Sequence, residues 1–355
     1  MRILYAVGSW GLGHATRSLS VIAALLDAGA ELTIISTGRA LQVLREGVGD
    51  RCEFLDWPDV PQTVARSAWW FYLKTATSAP AYLAALRRER GWTAELVGRR
   101  PVDRIVSDNR YGVQHPDLPS FHIAHGLRFI APGRIRLIER RLEAFNHRWL
   151  GHLRLIVPDT AEDKLSGDLA HGLDIFPRAA ITYAGILSRL RRRPVDQDLD
   201  LFVTLSGPEP QRSILERIVL RQLPALQTPA VVALGRPDGR SHVRIGRAEV
   251  YGYLDRTAQE EMMNRARLVI CRAGYSTIMD LAELERRGVL IPTPGQTEQD
   301  YLARYHHERG TAVAVAQRQL DLRAAAEHAA AVRPLRASVH TAEAVRRITS
   351  LILAG

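Results

Sequence analysis

Short apolar runs rich in β-branched residues alternate along this chain with longer stretches whose apolar residues return at helical spacing. Continuous apolar runs of that length predict strands buried on both faces, as in a parallel sheet, and the intervening stretches predict helices that cover it. The N-terminal half reads as strands near 2–7, 31–36, 52–55, 103–107, 119–124 and 154–157. The C-terminal half reads as strands near 200–205, 230–234, 267–271 and 289–292. Alternation of this kind specifies parallel α/β layers. No internal repeat or low-complexity tract interrupts it.

The 355 residues exceed one ordinary core and suit two domains. The segment Leu187 to Asp200 is polar, charged and broken by Pro194, which makes it the expected linker. The expected division is 1–187 and 188–355, with the last helix packing back on the first domain.

Two strand ends run into small-residue turns that enter helices. After Ile3 to Val7 comes Gly8-Ser9-Trp10-Gly11-Leu12-Gly13-His14, with a helix expected to about Ala28. Glycines let backbone approach a ligand closely, and His14 falls in the first helical turn. As a dinucleotide fingerprint the match is poor, because Thr16 occupies the place of the third glycine. After Arg267 to Cys271 comes Arg272-Ala273-Gly274-Tyr275-Ser276-Thr277, with a helix expected from about Thr277 to Arg287. Such a helix end presents unpaired N–H groups and the positive end of its dipole, which together bind phosphate. Arg272 adds a cation there, and Asp280 a carboxylate able to accept from two ribose hydroxyls. Glu298 and Gln299, past the next strand, are placed to hold sugar hydroxyls.

These segments resemble the GT-B glycosyltransferases, and within them the MurG-like branch, which attaches N-acetylglucosamine to a lipid-linked acceptor. The resemblance is strongest over residues 250–300 and 1–20. It implies an α/β GT-B fold, with two Rossmann-like doubly wound domains facing a cleft, acceptor on the first and nucleotide-sugar on the second. It places Arg272, Ser276 and Thr277 on the diphosphate around Gly274, Asp280 on the ribose where the family usually has Glu, and Glu298 and Gln299 on the donor sugar. Leu254 corresponds to the segment whose backbone contacts uracil. His14 corresponds to the general base, and a single displacement would invert the anomeric carbon. Gly13, with Ser206 and Gly207 after the strand near 200–205, completes the expected donor set.

Other candidates rest on position. Asp108 ends the strand at 103–107, and strand carboxyl ends of a doubly wound sheet line one crevice, so it is expected to orient His14; a turn-forming Asp is the plainer alternative. His125, at another strand end, reads as an acceptor or phosphate contact or as an ordinary loop residue. Trp69-Trp70-Phe71-Tyr72 reads as core packing or as an acceptor wall.

The net charge is +10, carried almost wholly by Arg, since Lys occurs only at 74 and 164. In the stretch 133–154, Ile135, Ile138, Leu142, Phe145, Trp149 and Leu153 recur on one helical face and Arg136, Arg140, Arg141, Arg148 and Arg154 on the other. That pattern predicts a core-packed helix with a solvated face or a basic surface in peripheral contact with anionic lipid. Nucleic acid is not expected, since no recognition motif occurs. Cys52 and Cys271 form no framework or metal cluster, the first strand begins at residue 2, and no apolar run spans a membrane, so a cytoplasmic protein is expected. Asp196-Gln197-Asp198 has the letters of a metal-binding D-x-D but lies in the linker, so metal independence is expected and UDP-sugar is the co-substrate. The rival functions are a nucleotide-sugar 2-epimerase and a non-catalytic nucleotide-sugar-binding protein.

Overall fold

The structure is a computed structural model that describes residues 1–60, 68–236 and 239–354, with backbone alone for 68–76. The chain forms two compact units, Met1–Arg189 with Ser338–Gly355, and Leu190–Ala337. The first contains β1 (Arg2–Val7), α1 (Leu12–Asp27), β2 (Glu31–Ser36), α2 (Gly38–Val48), β3 (Glu53–Asp56), α3 (Ala68–Arg99), β4 (Arg104–Asp108), β5 (Ser120–Ile123), α4 (Arg136–Leu150), β6 (Arg154–Val157) and β7 (Ile181–Tyr183). The second contains β8 (Leu199–Thr204), α5 (Gln211–Gln222), β9 (Ala230–Ala233), β10 (His242–Ile245), β11 (Ala248–Tyr251), α6 (Arg256–Arg265), β12 (Ala266–Arg272), α7 (Tyr275–Leu284), β13 (Arg287–Ile291), α8 (Thr297–Glu308), β14 (Val313–Ala314) and α9 (Leu322–Ala329). The last helix, α10 (Thr341–Ala354), returns to the first unit, where Arg104 Nε donates to the Ile352 carbonyl at 3.0 Å.

The first unit holds a parallel seven-stranded sheet in the order β3-β2-β1-β4-β5-β6-β7. The second holds the order β10-β11-β9-β8-β12-β13-β14, parallel except where β10 pairs antiparallel with β11. Both are doubly wound. In the first, strand order reverses between β1 and β4; in the second, between β8 and β12. At such a switch point the outgoing segments diverge to opposite faces and leave a crevice at the strand carboxyl ends.

Most apolar runs form the expected strands, because a run such as Ile3 to Val7 is buried throughout and needs no alternation. The short strands β7, β10, β11 and β14 were not expected. The hairpin β10–β11 turns at Gly246 (φ 58) and carries exposed His242 and Arg244, so it lacks the apolar signal of a central strand. The helix after Gly274 is also shorter than expected. It stops at Leu284 because Glu285 adopts the left-handed conformation (φ 53), and Arg286 N–H closes onto the Leu281 carbonyl at 2.9 Å. A glycine usually occupies that position and would have marked the stop. α1, by contrast, ends at Gly29 (φ 82) with the same closure.

α4 keeps Arg136, Arg140, Arg141 and Arg148 exposed and packs Phe145 and Trp149 half-buried against the core, as expected, but its most buried face is polar. Its buried residues are Glu139, Glu143, Asn146 and Leu150, while Leu137 is 62% exposed and Ile135 46%. The helix packs on loops whose backbone needs partners. Glu143 takes the Ile175 N–H at 2.6 Å and Arg128 at 2.9 Å, Glu139 takes the Ala131 N–H at 3.1 Å, and Asn146 donates to the Leu127 carbonyl at 2.8 Å. Buried loop backbone thus draws polar side chains inward.

Candidate active site

The first crevice lies between the ends of β1 and β4. Gly8 N–H donates to the Asp108 carbonyl at 2.8 Å, and a Cβ at Gly8 would stand 3.3 Å from that oxygen. Gly11 (φ 84) then turns the chain into α1 without a side-chain cap. The turn is held open by Asp59, which accepts from Ser9 N at 2.7 Å and Ser9 Oγ at 2.9 Å, and by Trp10, whose indole donates to the Val60 carbonyl.

This geometry delivers His14 to Asp108. The imidazole Nδ1 lies 2.8 Å from Asp108 Oδ1, and the carboxylate also accepts from Ser18 Oγ and from Arg17 Nε at 2.9 and 2.8 Å. Burial works to raise the Asp108 carboxyl, but Arg17 and His14 outweigh it and hold it well below the usual range, so it is ionised. Burial and then Arg17 lower the His14 imidazole, against the opposing pull of Asp108, so the ring is neutral at physiological pH. His125, with its ring centroid 6.2 Å from that of His14, meets Arg17 Nη1 through Nδ1 at 3.2 Å. Asn109 (φ 61) brings its amide to 3.5 Å from His14 Nε2. Arg17 was not among the expected site residues. Its one signal in the sequence is its place three residues after His14, the spacing that puts two side chains on one helix face.

The second crevice lies between the ends of β8 and β12. Gly274 starts α7 with no side-chain cap, and Ser276 and Thr277 are half-buried in its first turn. Gly207 (φ 108) follows β8 at the same switch point, where a Cβ would come within 3.5 Å of Thr293 Oγ1 and 3.6 Å of Arg272 Nε. The Thr293 hydroxyl is buried without a hydrogen-bond partner. Arg272 differs from expectation. It is 2% exposed, and its guanidinium donates to the carbonyls of Ser206 (3.1 Å), Gln211 (3.0 Å) and Pro292 (3.4 Å). Burial lowers it to about 10. Arg272 therefore clamps the turn after β8 and places a cation in the crevice instead of reaching out as a free donor.

The remaining candidates are more committed than the sequence suggested. Asp280 is buried on α7, where burial and this carboxylate push the Cys271 thiol up to about 12. Gln299 accepts from Thr293 N at 2.9 Å and donates to Gln296 Oε1 at 2.5 Å, which fastens the entry to α8; Glu298 beside it is half-buried. Leu254 is half-buried between exposed Tyr253 and Asp255, the latter capping α6 through the Ala258 N–H at 2.8 Å. Asp198 of the D-x-D letters is bound to Arg265 at 2.8 and 2.9 Å. The Trp69 and Trp70 side chains lie outside the described residues. Among the described residues no group of three or more His, Cys, Asp and Glu side chains is arranged to hold a metal, and no described helix is long and apolar enough to cross a membrane.

Known proteins show the same organisation. Residues 223–345 match the glycosyltransferase family 28 C-terminal domain, and residues 1–54 match glycosyl transferase family 1. The chain has the GT-B fold, and its C-terminal part matches the family 28 domain. A UDP-N-acetylglucosamine--N-acetylmuramyl-(pentapeptide) pyrophosphoryl-undecaprenol N-acetylglucosamine transferase from Desulforudis audaxviator (strain MP104C) is 44% identical over 61 residues. That match spans 17% of this chain and 16% of the relative. Among solved structures, the calicheamicin glycosyltransferase CalG4 superposes over 100% of this chain and 94% of its own, with TM-score 0.63 and 18% identity. MurG of Acinetobacter baumannii superposes over 100% of both chains, with TM-score 0.58 and 14% identity. In this GT-B chain the catalytic dyad candidate and the family 28 turn thus occupy the switch points of separate sheets.

Proposed function

We propose that the protein is an inverting, metal-independent glycosyltransferase that moves a hexose or N-acetylhexosamine from a UDP-sugar to an acceptor hydroxyl. The observation that carries this reading is His14 Nδ1 held 2.8 Å from the buried Asp108 carboxylate at the β1–β4 crevice, where burial and Arg17 favour the neutral ring. With Nδ1–H donated to Asp108, the Nε2 lone pair takes the acceptor's proton as the oxygen attacks the anomeric carbon. The bond from that carbon to the diphosphate breaks, and the nucleoside diphosphate leaves. One displacement inverts the configuration.

The donor half of the reading rests on the second unit. The uncapped start of α7, Gly207 and the guanidinium of Arg272 suit a diphosphate and stabilise the charge that develops on it, without a divalent ion. Leu254, Asp280, Glu298 and Gln299 are proposed for base, ribose and sugar, and the first unit, with His125 and Gly13, for acceptor and donor approach. The matched family 28 domain and the name of the Desulforudis relative support UDP and a lipid-linked acceptor. Phe129, Ile135 and Leu137 are exposed beside Arg136, Arg140 and Arg141, which favours peripheral contact with an anionic inner membrane face.

The test is calorimetry of UDP, GDP and TDP with metal chelated, followed by transfer assays with the preferred UDP-sugar and lipid-linked acceptors. Micromolar UDP binding and loss of transfer in His14→Ala with UDP affinity retained are expected. Unchanged turnover in that variant sinks the role of His14; conversion of the donor without acceptor would point to an epimerase instead.

A further inference from the structure

Arg17 leaves α1 on the same face as His14 and is 2% exposed. Its fork meets Asp108 at both oxygens, through Nε to Oδ2 at 2.8 Å and through Nη2 to Oδ1, and Nη2 also stands 2.9 Å from His14 Nδ1. We propose that Arg17 is a positioning residue that keeps His14 an uncharged base by sharing Asp108 with it. The proposal rests on the reading of His14 as the general base.

The hydrogen bonds define which ring nitrogen carries the proton. An ionised carboxylate has about four acceptor sites. Asp108 meets four donors: Arg17 Nε and Ser18 Oγ at Oδ2, and Arg17 Nη2 and His14 Nδ1 at Oδ1. All four are satisfied only when the ring hydrogen sits on Nδ1, which leaves the lone pair on Nε2. In the alternative, Arg17 Nη2 donates to a bare Nδ1. The buried carboxylate then loses a donor and the hydrogen moves to Nε2, where it blocks proton abstraction. Leaving a buried acceptor short is costly, so the first arrangement holds.

The charges define whether the ring stays neutral. The charged and titratable groups around His14 are Arg17 of α1, Asp108 at the end of β4, His122 of β5 and His125 just after it, with Asn109 near Nε2 and with Ser18 and Tyr5 on the Asp108 side. A lone carboxylate would draw a proton onto the imidazole and turn the base into its spent form. Arg17 offsets that charge inside the site while leaving Asp108 free to orient the ring. The cost is a weaker base; the gain is a base present in its working form below neutral pH.

The experiment is a pH titration of the full-length protein labelled with ¹⁵N-histidine, read at the ring nitrogens, with His14 assigned by the signals that His14→Gln removes. The wild type should show a neutral His14 with the hydrogen on Nδ1 and a midpoint below the ordinary imidazole value. In Arg17→Gln the midpoint should rise by roughly 1–2 units, the effect expected when an opposing charge is removed. A residue that only supports the fold would leave the midpoint of a folded variant where it was. An unmoved midpoint in Arg17→Gln overturns the proposal. If that variant does not fold, the wild-type spectrum decides: an imidazolium at neutral pH, or a hydrogen on Nε2, overturns it equally. Neither result depends on transfer, so the base reading stands or falls separately, on His14→Ala.

Discussion

The loop after β4 is held by one buried ion pair, and removing half of it should be among the most damaging changes in the first unit. Glu89 of α3 accepts from Arg110 Nε at 2.6 Å and from the Gly112 N–H at 2.9 Å. Arg110 continues to the carbonyls of Trp57 at 3.1 Å and Pro58 at 2.8 Å, and neither residue of the pair is more than 2% exposed. Burial outweighs Arg110 and holds the Glu89 carboxyl above its ordinary range, so the pair is no large net source of stability. Truncating one member is different. Glu89→Ala leaves a guanidinium buried without its anion and a glycine N–H without an acceptor, for a cost of about 3–5 kcal/mol. Glu89→Met with Arg110→Met removes both charges and should cost clearly less than the sum of the single changes. All six tryptophans lie between Trp10 and Trp149, so indole fluorescence during urea unfolding reports the first unit alone. A loss under about 1 kcal/mol in Glu89→Ala, or strict additivity in the double variant, refutes the reasoning.

Acid should weaken the same unit through its buried histidines, although Glu89, held above its ordinary range, works in the opposite direction. Burial lowers His122 to about 4, and both its ring nitrogens lack partners, so between the ordinary 6.5 and 4 the unfolded chain takes a proton that the folded one refuses. Stability should fall across that window by on the order of 3 kcal/mol and His122→Phe should flatten the fall, although His14 adds a share in the same direction. A slope unchanged in His122→Phe excludes His122 as its source. Asp280→Ala should weaken UDP binding by calorimetry, and an unaltered affinity returns Asp280 to the role of a core residue. Leu137→Glu with Phe129→Glu should abolish sedimentation with anionic vesicles while zwitterionic vesicles bind neither form; equal binding by the variant removes this face from the membrane.

The sequence by itself determined what is local. Runs such as Ile3 to Val7 and Val289 to Ile291 are apolar throughout and can only be buried strands, and the glycines at 8, 11 and 274 mark strand ends where backbone must turn into a helix. From those alone came the parallel α/β layers and the two turns that carry the candidate chemistry. The end of α7 carries no sequence signal because Glu285 performs a turn that glycine normally marks, and β10 and β14 carry none because edge strands are short and need no apolar face. Tertiary structure alone decided how polar groups are paired. Arg17 and Asp108 stand 91 residues apart, and nothing near either one marks the other. Arg272 turned its donors to backbone carbonyls, and α4 turned Glu139, Glu143 and Asn146 inward, against the apolar stripe its spacing displays. The physical reason is that periodicity records how much apolar surface a segment buries, whereas a buried donor or acceptor is satisfied by whichever partner folding brings within hydrogen-bond reach.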